Sequence, residues 1–535
     1  MKKIFTDKHP TLIAIIWPIM AAGTALLVLR YLHNGHLSVS DDILFPAFLL
    51  LGCYLAASVV VFLAKITRLK GLLFGPAVFA GMASIVLLAI IVFSFQYSRL
   101  DITVIFCLLG LLSLIYYMLP SFRGISLIFL FVASIAVVLY PQVRSTPPSS
   151  TLKSSDFVLN EYKSHLYDLD IRKYQNLVPR STTHSAMAAI GRHKDVYLLV
   201  MSNGDIYSVR NLGSDKAIET VRWNIRVPVN HKKFYADAGT SAFLQYFRTL
   251  DVLILNSDTS SQMLVSHHYW NESEQCATMR VSFLKFSDIR EIESGNAVWE
   301  DLFETTPCLL LQPEAWAFRG MEGGGRLALL NSENVLLTVG DHGVNGHDYD
   351  ENFVDDPGAS YGKTLRIGLN SGEAEVFTTG HRNQQGLYVD HKGSIWSTEH
   401  GPRGGDELNL LEAGHLYGWP RITYGTDYGS LTWPLEAPKD QSKYTLPVFS
   451  WVPAIGVSNL AGIGGETPFP FWRDDLIISS LLSQSLYRSR IEQESIRYLE
   501  PIPIGERIRD LLIDENGIIL WTDSRSLIQI LPATQ

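Results

Sequence analysis

The sequence predicts an all-β six-bladed β-propeller preceded by an α-helical transmembrane domain of about five helices. Three observations predict it: a sharp change in charge density near residue 150, long apolar runs before that point, and a strand-turn-strand unit recurring after it. The 535 residues are 47% hydrophobic and 18% charged, with a mean hydropathy of +0.12. That average conceals two unlike halves. Residues 1–150 contain 14 Asp, Glu, Lys and Arg, 10 of them basic, whereas the rest contains 34 basic and 49 acidic residues, a net charge of −15. A negative balance of this kind argues against nucleic acid as a partner, because phosphates are held by Lys and Arg. Collagen-like, disordered and small disulfide-stapled chains are excluded by composition.

Taken in order, the apolar runs lie at 11–32, 43–66, 72–95, 102–119 and 124–140. Each is long enough to cross a hydrocarbon core of roughly 30 Å as a helix, the last two at the short end of the usual range. A cleaved signal peptide would leave one such run rather than five. Lys2, Lys3 and Lys8, then Lys65, Arg68 and Lys70, then Arg123 fall on one side, while Arg30, Arg99 and Arg144 share the other with Asp41, Asp42 and Asp101. By the positive-inside rule the N-terminus is cytoplasmic, and an odd number of spans places everything after residue 140 outside. The expectation is a multi-pass protein of a bacterial inner membrane, embedded in the lipid bilayer, with its second half periplasmic. The spans contain no His and no acid away from their ends, which argues against a transporter. The expected domains are 1–141, a linker at 142–153 rich in Pro, Ser and Thr, and 154–535.

In the second half, three segments superimpose as sequence: 327–343 (LALLNSENVLLTVGDHG), 386–401 (GLYVDHKGSIWSTEHG) and 510–525 (DLLIDENGIILWTDSR). Each is an apolar strand, a polar turn with Gly or Asn, and a second strand ending at an acid: Asp341, Glu399 or Asp523. The first two acids are 58 residues apart and the next two 124, close to one and two periods of about sixty. Weaker copies lie at 189–210 and 252–286. Some 385 residues then make six blades, whose loops converge on one mouth where ligands bind. A pair of β-sandwiches would also give short strands, but needs no such period. Cys276 and Cys308 are the two cysteines of this half, either bridged, as export allows, or two buried thiols.

From Gly340 to Tyr428 the chain reads GDHG, YGKTLRI, GHRNQQGLYV and WSTEHGPRGGDELNLLEAGHLYGWPRITYGTDY in that order. This stretch resembles the glucose/sorbosone dehydrogenase family, six-bladed propellers that include aldose sugar dehydrogenases dependent on pyrroloquinoline quinone (PQQ). The resemblance implies oxidation of a sugar at C1 with hydride passing to PQQ, and a calcium ion beside the cofactor. Arg382 and Asn383 match family residues at the quinone end, and Gln385 a neighbouring polar position. Gly401 and Pro402 match the pair whose carbonyls ligate calcium, while Asp406, Glu407 and Tyr417 resemble a second calcium site; hard oxygen ligands suit that ion. Trp451 matches a tryptophan of the substrate wall.

The chain also departs from the family pattern. The proton-accepting His ahead of the Gly-Arg-Leu turn is replaced by Glu322 in MEGGGRL, whereas Asp341 matches the acid that orients it. Two facing carboxylates raise one pKa by repulsion, so a Glu base is chemically feasible. His184, His342 and His347 are alternative bases. A family lysine is replaced near Ile463, a basic turn reads SLLSQS at 480–485, and the first-blade motif is absent. The implied function is a membrane-anchored sugar dehydrogenase passing electrons to a membrane quinone, with a homodimer compatible. The alternative is a propeller that has lost turnover and serves as a sugar- or glycan-binding or sensory module.

Overall fold

Runs of Val, Ile, Leu, Tyr and Trp four to eight residues long, broken by turns of Gly, Asn and Asp, form antiparallel hairpins. The second strand of a blade is sandwiched between two neighbouring blades, so both of its faces are apolar: every residue of Val196–Met201 and of Gly517–Thr522 is buried. An outer strand such as Ser495–Pro503 is largely exposed. The computed structural model describes residues 149–152, 156–178, 186–238, 247–257, 259–310, 320–348, 350–428 and 441–533. The predicted membrane spans fall outside the described residues, and among those described no helix is long and apolar enough to cross a membrane.

Six sheets make up the propeller. Their innermost strands are, in order, Ala188–His193, Thr249–Leu255, Gly324–Asn331, Gln384–Val389, Val457–Gly462 and Ile508–Asp514. Each touches the next, and the sixth touches the first, which closes the ring. The three repeats found in the sequence are the inner hairpins of blades three, four and six, and the weaker copies those of blades one and two. Blade six is composite. Its strands Ile508–Asp514, Gly517–Thr522 and Leu527–Pro532 come from the C-terminus, while Asp168–Tyr174 and Val158–Lys163 are supplied from the start of the domain. Pro147–Gln535 forms a compact unit of its own. Part of the expected linker is ordered: Ser149–Leu152 pairs with Ile218–Arg226 as an edge strand of blade one, because an edge needs hydrogen bonds on one side only and the prolines precede it. In blade two a disulfide joins Cys276 to Cys308, one of the two alternatives the sequence left open.

At the axis the inner strands are tied by charge. The Arg326 guanidinium of blade three donates to Asp251 of blade two at 3.1 Å, to Asp510 of blade six at 2.9 Å, to the Gln385 carbonyl of blade four at 2.7 Å and to the Arg509 carbonyl at 3.2 Å. Asp510 also accepts the Ile190 amide of blade one at 2.7 Å and the Asn459 amide of blade five at 2.6 Å. All six blades therefore meet in one buried cluster. Replacing Arg326 by Met strands two carboxylates without a counter-charge, and a loss of about 3–5 kcal/mol is expected, read as a lower midpoint in urea denaturation.

Candidate active site at one end of the propeller

Topology alone brings the site together. The residues before an inner strand and those after the second strand of the same blade lie at the same end of a hairpin. Glu322 and Asp341 flank the inner hairpin of blade three in this way, and Arg382 and Gly401 that of blade four. Glu322 has φ +54° in its turn, and the chain returns so close that a Cβ on Gly340 would lie 1.7 Å from the Glu322 carbonyl oxygen. Only glycine permits that approach.

Arg382 is the centre of the arrangement. One terminal nitrogen pairs with the Glu322 carboxylate; the other donates to the carbonyl of Gly401 at 3.2 Å. The guanidinium lies over the Trp419 ring, 5.4 Å from its centroid. The Arg382 backbone N–H donates to Glu399, whose other oxygen receives His381 Nδ1 at 2.9 Å. His381 in turn meets Thr378 at 2.8 Å and stacks on Tyr417. Asp341 is fully buried and accepts the Trp419 indole N–H at 2.6 Å, the Asn345 amide at 2.9 Å and the Gly343 N–H at 2.9 Å. Burial first, and Glu322 second, push its carboxyl up to about 7. A small cleft, lined by Arg382, Glu399, Gly401, Glu407, Tyr417 and Trp419 among others, opens beside these groups.

Not every sequence candidate joins this cleft. Asn383 turns its oxygen inward, accepting the Gly324 N–H at 3.2 Å and the Gln385 amide at 2.8 Å. Trp451 is buried with Leu408 and Val457 between blades four and five, as core rather than wall. Asp406 anchors backbone: one oxygen accepts the N–H groups of Ile455, Gly456 and Val457 at 3.1, 2.6 and 3.1 Å, the other that of Gly401 at 3.3 Å. The Tyr417 hydroxyl is engaged by the Leu410 carbonyl and the Glu412 N–H. A calcium ion held by Asp406, Glu407 and Tyr417 together does not fit these bonds, since only Glu407 presents its carboxylate to the cleft. His342 is buried, and burial holds its pKa down to about 4, so it is a neutral ring between His268 and Tyr361. His347 lies on the loop after Asp341, its backbone N–H donating to Asn345, and His184 lies outside the described residues.

The family described as Glucose / Sorbosone dehydrogenase matches residues 250–530, more than half of the chain. The chain belongs to this family. Curated relatives include the uncharacterized protein slr1608 of Synechocystis, 31% identical over 227 residues, covering 39% of this chain and 55% of that protein. The aldose sugar dehydrogenase YliI of Escherichia coli is 32% identical over 165 residues, covering 30% and 44%. The quinoprotein glucose dehydrogenase B of Acinetobacter calcoaceticus is 24% identical over 292 residues, covering 38% and 59%. The chain thus spans about half the length of the curated relatives it matches. A solved glucose dehydrogenase shares the fold, with a TM-score of 0.53 at 24% identity, covering 66% of this chain and 98% of that one.

For a glucose/sorbosone dehydrogenase family member, the groups at the mouth fit an anionic quinone cofactor with a hard cation. Gly401 lines the cleft with its carbonyl meeting Arg382, and the next carbonyl, that of Pro402, accepts the Tyr428 hydroxyl at 3.1 Å. Burial first, and the charges of Arg382 and Arg509 further, hold the pKa of His400 down. Arg509 and Arg507 pair with Asp523, and Arg507 reaches the Leu481 carbonyl at 3.5 Å, inside the 480–485 turn that lacks its own basic residue. Sequence reading missed these arginines, which stand just before the repeat at 510–525, as well as Trp419 and His381, which lie in stretches already singled out. Ile463 is simply core.

Glu407 stands opposite Glu399 in register, and Asn409 donates to both, at 3.2 and 3.4 Å. Burial, then Glu399, push the Glu407 carboxyl up to about 8. A raised carboxyl stabilises the fold fully below its unfolded pKa, and that contribution is lost as pH rises through the folded value. Glu407→Gln removes this dependence. Relative to wild type, the variant should therefore gain stability steadily between pH 5 and pH 8, measured as the difference in melting temperature.

Proposed function

We propose that this chain is a PQQ-dependent sugar dehydrogenase that oxidises an aldose at C1, anchored in the bacterial inner membrane with its propeller outside the cytoplasm. The observation that carries the reading is the Arg382 guanidinium beside the Gly401 carbonyl on a cleft at one end of the propeller. Two relatives, an aldose sugar dehydrogenase and a quinoprotein glucose dehydrogenase, support the same class. The disulfide is in keeping with an oxidising compartment.

When bound, PQQ supplies the acceptor for the hydride from sugar C1. Arg382 would hold the quinone oxygen that gains charge, while Asn383 and Gln385 keep the strand behind it in place. Gly401 and Pro402 would hold calcium by their carbonyls, and Arg507 and Arg509 would meet the cofactor carboxylates. Glu322, beside Arg382, is the group placed to take the proton from the sugar hydroxyl, with Asp341 raising the local negative charge behind it. A membrane quinone would be the onward electron acceptor.

A second reading, a sugar-binding module without turnover, is favoured by one observation: the Glu322 carboxylate is already paired with Arg382. Reconstitution of the full chain with PQQ and calcium separates the two. The dehydrogenase reading expects a shift in cofactor absorbance and its bleaching on addition of aldoses. It also expects Arg382→Ala to lower kcat/KM roughly 10- to 100-fold, the worth of one charge-assisted contact. Retention of sugar binding without bleaching would leave the binding module.

A further inference from the structure

We infer that Glu322 is a resident counter-anion for Arg382, so that an anionic ligand reaches the guanidinium only by displacing this carboxylate. The inference rests on the reading of Arg382 as the residue that meets the cofactor, and it adds a gate that the chain carries within itself.

Four observations support it. The Glu322 carboxylate pairs with a terminal nitrogen of Arg382, the guanidinium that lines the cleft. The pair is largely desolvated, with side chains 21% and 11% exposed. An ion pair so placed is held far more firmly than one on an open surface, because breaking it leaves a charge poorly hydrated. The other terminal nitrogen is held by Gly401 and the backbone N–H by Glu399, which leaves the guanidinium little freedom to turn toward a newcomer. Finally, the turn that carries Glu322 is fixed: its carbonyl packs against Gly340 and accepts the His342 N–H at 3.4 Å. The carboxylate is therefore delivered by a rigid turn, from the chain position that an uncharged or cationic residue would leave open. Asp341, beside them, has its oxygens bound to Trp419, Asn345 and Gly343, which leaves Glu322 as the anion in contact with Arg382.

The test is a binding titration that does not depend on turnover. Trp419 lies under the Arg382 guanidinium, so tryptophan fluorescence reports a ligand arriving there. Wild type, Glu322→Gln, Glu322→Ala and the double variant Glu322→Gln with Arg382→Ala are titrated with oxalate, a small dianion, and separately with PQQ. Removal of the carboxylate is expected to tighten binding of both at least tenfold, in Gln and Ala variants alike, and the double variant should lose that gain. Melting curves identify a variant that fails to fold, the other then deciding. Equal or weaker oxalate binding by the folded variants overturns the inference. Tighter oxalate binding with no PQQ binding keeps the gate and removes the quinone-cofactor reading instead.

Discussion

The Arg326 cluster is the constraint on which the molecule depends. A propeller must bring six strands together at an axis too narrow for large side chains from all of them, and the strands reach that axis with backbone groups still to be satisfied. One guanidinium between two carboxylates meets this requirement with directed bonds to every blade. Burial costs each of these charges heavily, and the Asp251 carboxyl is pushed up to about 6 by it. What makes the arrangement tolerable is that Asp251 and Asp510 also accept backbone N–H groups, those of Leu327 and Ile190.

The site inherits its geometry from that cluster. Arg326 holds the Gln385 carbonyl, three residues from Arg382, and blade six presents Arg509 beside Asp510. The loops at the mouth therefore set out from fixed starting points. Behind Arg382 the chain of Thr378, His381 and Glu399 fixes its backbone from the other side. Arg382 is thus positioned by two buried polar networks.

The ring of blades was legible in the sequence because each blade repeats the same physical problem: a doubly buried strand such as Ile518 to Trp521 beside a turn. The period showed through even where blades one and two had drifted. The ends of inner strands were legible for the same reason, which is why Glu322, Asp341, Arg382 and Gly401 came out together. Side-chain direction was not. Asp406 and Trp451 sit in stretches that match the family, yet a single pleat turns the first onto three backbone amides and the second into the seam between blades. Nor does a one-dimensional string reveal that Arg507 of blade six stands beside the turn of blade five that lacks a cation. That compensation crosses a blade boundary, where sequence distance carries no information. The edge strand at Ser149–Leu152 was hidden by its prolines, which spoil a helix but not an edge.

The composite sixth blade ties the two ends of the domain into one sheet, with Leu527–Pro532 zipped against Asp168–Tyr174. A ribosome making this protein releases the first strands of that sheet more than three hundred residues before their partner exists. Until the last segment emerges, the edge of Asp168–Tyr174 stays open to any extended peptide nearby, so the cell must shield it for most of the time the domain takes to be synthesised.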